Sequence, residues 1–287
     1  MFFGIAGYGI GIASARLGAT GGSLALGAAL ATSALLALAI GLVSLRVKTI
    51  FFAMIMLAVG SCVMILASQL SWLTGGEDGL NHRLPALLMP GTRLVERPIL
   101  GVDVNGHLVS YYLVFGAALA LLLVLLRVVN SPFGRSLLWI RENEFRSESL
   151  CNRTVSYRTV ASCLGALMAT AAGILHAIWL RYTGPDTTLS FSIMIDILLM
   201  VVISGMGTMY GTVVGATLFV VAQNYLQYLM KLASGATQGV PLLPSLLHPD
   251  RWLFWLGVLF ILCVYYFPFG IVGNLRRHAE RVSPRDA

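Results

Sequence analysis

Charge is scarce in this chain. Asp, Glu, Lys and Arg make up 11% of the 287 residues, less than half the share of about 25% found in an average soluble domain. That shortage excludes an ordinary water-soluble enzyme, and a 57% hydrophobic content excludes a disordered chain. Lysine is nearly missing. Lys48 and Lys231 are the only two, and neither follows a Gly-rich phosphate loop, so there is no Walker A motif and no expectation that the chain hydrolyses ATP by itself. The four cysteines form no C-x-x-C pair: Cys62, Cys163 and Cys263 lie in apolar stretches and Cys151 in a polar one. A zinc site or disulfide framework therefore has no support. Neither G-x-S-x-G nor H-E-x-x-H occurs. The five histidines are scattered, and only His176 lies within one of the membrane segments assigned below, where a bond to a neighbouring helix is the simpler role. No catalytic residue, metal site or cofactor is expected.

Long apolar runs take the place of charge. Residues 17–45, 49–76, 104–126, 159–180, 197–230 and 252–275 contain no Asp, Glu, Lys or Arg, and mean hydropathy is +0.84. A helix needs about 20 apolar residues to cross a bilayer core. The runs predict an all-α, polytopic transmembrane bundle in one domain, 1–287, with about eight membrane segments. These are 2–15, 23–45, 51–72, 108–129, 159–180, 190–205, 207–229 and 252–270. The first is short, and Gly4, Gly7, Gly9 and Gly11 point to close packing. Ala13-Ser14-Ala15 imitates a leader cleavage site, but the preceding residues are uncharged and another apolar segment follows at once, which argues against a leader. The net charge of +7 is read through the positive-inside rule rather than as a nucleic-acid footprint. With both termini inside, the cytoplasmic segments and the basic tail 274–287 carry most of the Arg and Lys residues. The segment 73–107, with Pro85, Pro90 and Pro98, becomes an outside loop.

Three segments carry more than hydropathy. In 130–158, Ser131 is a plausible N-cap and Pro132 fits the first helical position. Phe133, Leu137 and Ile140 share one face, and Arg141, Glu142, Asn143 and Glu144 interrupt it. This is a short amphipathic cytoplasmic helix between two membrane spans, either lying on lipid or docking into a soluble partner, and the mixed charge signs favour the partner. In Gly205–Gly215, Gly207, Gly211 and Gly215 repeat every four residues and form one stripe, suited to close helix packing or to a moving gate. The Gly205-Met206-Gly207 turn is expected to be tight. Asp196 is the lone acid inside a membrane segment, roughly 9 Å below its outer end at 1.5 Å per residue. Its role is a structural hydrogen bond or contact with a substrate.

Together these stretches resemble the M-type permease subunit of the Liv-type importers, the ATP-binding cassette (ABC) systems for branched-chain amino acids. The resemblance is carried by Phe2–Tyr8, by LRVKTIFFAMIML at 45–57, and by TGGEDGL at 74–80 with Thr74, Gly75, Gly76 and Gly79. Pro132–Arg158, with its Arg-Glu-Asn-Glu run, and Ile193–Gly215 continue it. Each motif is weak alone, but their order covers most of the chain. The resemblance implies a translocation path shared with a companion (H-type) permease, two ATPase subunits below, and a periplasmic binding protein above, all in the bacterial inner membrane. It makes Pro132–Glu148 the coupling helix, with Gly134, Arg135, Arg141, Glu142, Asn143 and Glu144 at the ATPase. Asp196, Gly205, Gly207, Gly211 and Gly215 fall to the path or gate. The family has further apolar sequence before the Phe2–Tyr8 motif, so the chain is expected to be a shortened form, and it commonly has Gly where Cys151 stands. The family also includes carriers of urea and short amides. An ion-coupled transporter would need more mid-membrane charge than Asp196. An intramembrane enzyme would need paired catalytic groups, and none are present.

Overall fold

The computed structural model describes residues 1–17, 22–44, 49–82, 106–142, 147, 154–205, 209–236 and 252–266. Each of the eight apolar segments forms a helix. They are α1 (Phe2–Leu17), α2 (Gly22–Ser44), α3 (Thr49–Gln69), α5 (Gly106–Asn130), α7 (Thr154–Leu180), α9 (Phe191–Ser204), α10 (Met209–Ala236) and α11 (Trp252–Tyr266). Among the described residues, three short helices lie between them: α4 (Ser71–Thr74), α6 (Pro132–Glu142) and α8 (Pro185–Thr188). Two residue pairs form a small antiparallel ladder, β1 (Leu80–Asn81) with β2 (Tyr182–Thr183).

Among the described residues, helices 106–130, 154–180, 185–204 and 209–232 are each long and apolar enough to cross a membrane. The pair 54–69 and 71–78 is a fifth if its 81° bend is taken as one broken span. Large apolar side chains face outward along these helices. On α5, Tyr112, Phe115 and Leu123 are all more than half exposed. In water such surface would aggregate; in lipid it is satisfied, and the helix bonds its own backbone groups as the bilayer demands.

The helices gather into two compact units, Met1–Ser190 and Phe191–Ala287. In the first, α1, α2 and α7 pack together most extensively. The crossing of α1 and α7 depends on absent side chains. A Cβ on Gly173 would meet the Phe3 carbonyl oxygen, and one on Gly7 would come within 2.9 Å of the Thr183 side chain. Ala6, Ile10 and Ile174 close a small core, with Ile178 packed against it. Lipid tails are as apolar as Leu, so close van der Waals contact of this kind replaces the hydrophobic effect as the adhesive between helices.

Helix α3 breaks at Leu70, two residues before its expected end. The Thr74 hydroxyl turns back to donate towards the carbonyls of Ala67 at 2.6 Å and Leu70 at 2.8 Å. Gly75, Gly76 and Gly79 then take positive φ values of 74°, 67° and 66°, a region that costs other residues steric energy. Helix α7 ends where Arg181 adopts φ 57°, with its N–H bonded to the Ala177 carbonyl at 2.9 Å in the manner of a left-handed cap.

In the second unit α9, α10 and α11 pack around Ile203, Phe219 and Leu256. Gly205, φ 85°, closes α9 by donating to the Val201 and Val202 carbonyls.

The close α1–α7 crossing predicts the outcome of one substitution pair. Gly173→Val should destabilise the detergent-solubilised protein by about 1–3 kcal/mol, the usual cost of overpacking. Gly165→Ala, on the same helix but with nothing near its would-be Cβ, should change stability by no more than about 1 kcal/mol, and in the stabilising direction. Thermal unfolding midpoints followed by circular dichroism would check both.

Candidate functional site

Three groups of residues stand out. The first is the corner between α5 and α7. Ser131 caps α6 as the sequence pattern predicts: its hydroxyl accepts from the Gly134 N–H at 3.4 Å and donates to the Val128 carbonyl at 2.6 Å. Pro132 then opens the helix. Gly134 is buried, and a Cβ there would strike the Val129 carbonyl and lie 2.8 Å from that of Val128. Its place is inside the α5–α6 turn, where lacking a side chain lets α6 fold back. Ile140 is buried and the Phe133 ring stacks on Tyr157 of α7, with centroids 5.6 Å apart and planes 15° from parallel. The opposite face stays open, with Arg135, Leu138, Trp139, Arg141 and Glu142 exposed. Asn143 and Glu144 lie outside the described residues, and α6 is described only as far as Glu142.

The second group lies at the far end of α5 and α7, roughly 37 Å away for a 25-residue helix. Thr74, Gly75, Gly76 and Gly79 form one ordered turn here, sealed by the β1–β2 ladder. His82 is its centre: its backbone N–H bonds the Arg181 carbonyl at 2.9 Å, and Nε2 lies 2.7 Å from the Thr183 hydroxyl. Gly11 of α1 faces the ring, where a Cβ would come within 2.8 Å of Cε1. Nδ1 of His82 is buried without a hydrogen-bond partner among the described residues. Burial pushes the imidazole below its ordinary value because the charged form is poorly solvated there. His107, Tyr111 and Trp179 cluster at the same end, with centroid distances of 5.3 and 6.3 Å to the Trp179 ring. Such aromatic groups are favoured where bilayer meets water.

The third group is the α9–α10 seam. Gly211 and Gly215 are buried, one turn apart, and Phe219 continues the stripe. A Cβ on Gly215 would come within 2.8 Å of the Ser204 backbone nitrogen. Gly205 forms the turn before them, and Gly207 lies outside the described residues. Asp196 is half-buried on α9. The expected gate residues are thus split: Gly205, Gly211 and Gly215 lie at the α9–α10 seam, while Asp196 stands eight residues before Ser204 and more than two turns from it.

Sequence reasoning missed His82, Tyr182 and Thr183. A two-residue ladder has no periodicity to detect, and its halves lie about a hundred residues apart. Tyr157 entered the sequence reading only as part of the Pro132–Arg158 resemblance, ahead of a span expected to start at 159, and the structure starts α7 at Thr154, which puts Tyr157 on its first turn.

These features define a multi-pass helical membrane protein with an amphipathic helix at one end of two adjacent spans. The chain belongs to the family described as "Branched-chain amino acid transport system / permease component", which matches residues 1–264. It is 27% identical over 206 residues to the high-affinity branched-chain amino acid transport system permease protein LivM of Salmonella typhimurium, covering 66% of this chain and 47% of that one. It is 25% identical over 240 residues to the probable branched-chain amino acid transport permease protein LivM of Methanocaldococcus jannaschii, covering 80% of this chain and 61% of that one. LivM of Escherichia coli is 26% identical over 206 residues, with the chain again spanning 47% of the relative. The chain therefore spans about half to three-fifths of the length of these relatives. No solved structure matches it.

The His82 junction predicts a pH dependence. With the folded-state value depressed, an opened junction binds a proton more readily than the closed one. Its contribution to stability is complete above the ordinary histidine value of 6.5 and is lost as pH falls from there towards the lower folded value. Amide hydrogen exchange at 74–82 and 181–183, corrected for intrinsic rates, should therefore speed up between pH 7.5 and 5.5. His82→Gln should remove the acceleration.

Proposed function

We propose that the chain is the membrane-spanning permease subunit of an ABC importer for branched-chain or related amino acids. Family membership supports the class. The observation that carries the coupling is α6: an amphipathic helix, capped and folded back at Gly134, held between two membrane-length helices and presenting Arg135, Arg141 and Glu142 to solvent. Chemical energy released in another subunit has to enter through an element of this kind, rigid and attached at both ends.

In this reading 1–287 is one permease domain, 130–158 is the cytoplasmic coupling segment, 73–107 the periplasmic loop and 274–287 a basic cytoplasmic tail. The end of the bundle at His82 then faces the periplasm, where a substrate-binding protein docks near Thr74, Gly75, Gly76 and Gly79. Two ATPase subunits meet Arg135, Arg141, Glu142, Asn143 and Glu144. A companion permease completes the path in the inner membrane, and both termini are cytoplasmic. Asp196 and the Gly205–Gly215 turn belong to the path or its gate. The chain binds no nucleic acid and needs no cofactor of its own.

The test is ATP hydrolysis by the reconstituted complex of this chain, its companion permease, two ATPases and the binding protein. Leucine-loaded binding protein should stimulate hydrolysis. Arg141→Ala with Glu142→Ala should lower that stimulation, with normal insertion and assembly. Full stimulation in an assembled double variant would remove α6 from the coupling route.

A further inference from the structure

α6 is held by two different attachments. Towards α5 it is fixed through the backbone, because Gly134 sits directly against the Val128 and Val129 carbonyls. Towards α7 the stacked rings of Phe133 and Tyr157 bridge the two helices. Both rings are half-buried, so lipid or water does not fully separate them from their neighbours. Tyr157 lies on the first turn of α7, and the same helix carries Gly173 against Phe3 of α1 and runs directly into β2 at the other end.

We propose that the Phe133–Tyr157 ring pair is the positioning link through which a displacement of α6 reaches α7, and through α7 the α1 crossing and the far ladder. This inference rests on α6 being the coupling element. The α5 attachment alone would move α5, which meets α7 through His107 and Tyr111 on Trp179 at the far end but buries no residue of its membrane-spanning window within this chain. α7 is the helix with extensive neighbours in α1 and α2. Packed elements of this kind pass on displacement as rigid bodies rather than absorbing it. What matters in Tyr157 is the ring and not its hydroxyl, so Phe should serve there and Leu should not.

The test uses the reconstituted complex and reads three quantities: basal ATP hydrolysis, its stimulation by leucine-loaded binding protein, and leucine uptake per ATP. Tyr157→Phe should match the wild type. Tyr157→Leu should keep assembly and basal hydrolysis, lose stimulation and lower uptake per ATP, a split that simple destabilisation would not produce. A second arm covers misfolding. In a chain whose four native cysteines are replaced by serine, Phe133→Cys with Tyr157→Cys should be uncoupled as made, and a short bis-maleimide joining the two positions should restore coupling. Intact stimulation in Tyr157→Leu, alongside its loss in the Arg141→Ala, Glu142→Ala variant, would overturn the link and leave α6 as the coupling element. Intact stimulation in both variants would overturn the coupling reading and the link with it. A cross-linked pair that stays uncoupled in an assembled complex would also overturn the link.

Discussion

The structure of the first unit depends on how closely two helices can approach when one of them carries no side chain at the contact. Gly173 of α7 lies against the Phe3 carbonyl, and Gly7 and Gly11 of α1 accept Thr183 and His82. In lipid, apolar side chains gain nothing by leaving the solvent, so contact geometry decides which helices adhere. Here the short α1 is fixed along the second half of α7. That in turn places the α7 terminus where β2 can pair with β1 and where His82 can reach Thr183.

Seen this way, the molecule has a different device at each end of α5 and α7. At one end, glycines in left-handed conformations and a two-pair ladder tie the segment after α3 to the segment after α7. At the other, a capped amphipathic helix folds back on a glycine and leans on α7 through two aromatic rings. The membrane-spanning length of α7 joins the two. Under the proposed function this continuity has a use, since energy would enter on one side of the bilayer and substrate on the other.

The helices were legible because hydrophobic runs are their own signal in a membrane: a charge-free stretch of 20 or more residues has few alternatives to a helix. The α6 start was legible too, since Ser131 and Pro132 act through local geometry. The glycine run at 74–79 could be seen as a motif, but its reason could not, because positive φ and the approach of Tyr182 and Thr183 depend on a strand about a hundred residues away. The third segment's end was set too far along, since the break at Leu70 comes from Thr74 bonding backwards, a contact with no hydropathic trace. Gly134 was expected at the ATPase contact from the family resemblance, and in the structure it is buried inside the α5–α6 turn. Side-chain pairs such as Phe133–Tyr157 leave no periodicity, so only the folded chain displays them.

The central claim is that this chain passes solute only when separate ATPase subunits supply the energy. The most direct measurement is uptake of labelled leucine into proteoliposomes containing either the chain with its companion permease or the complete complex with ATPases and binding protein. A proton or sodium gradient is imposed in one series and ATP supplied in the other. The account predicts accumulation in the complete complex with ATP and none from an ion gradient. Concentrative uptake by the permease subunits alone, driven by the gradient, would contradict it.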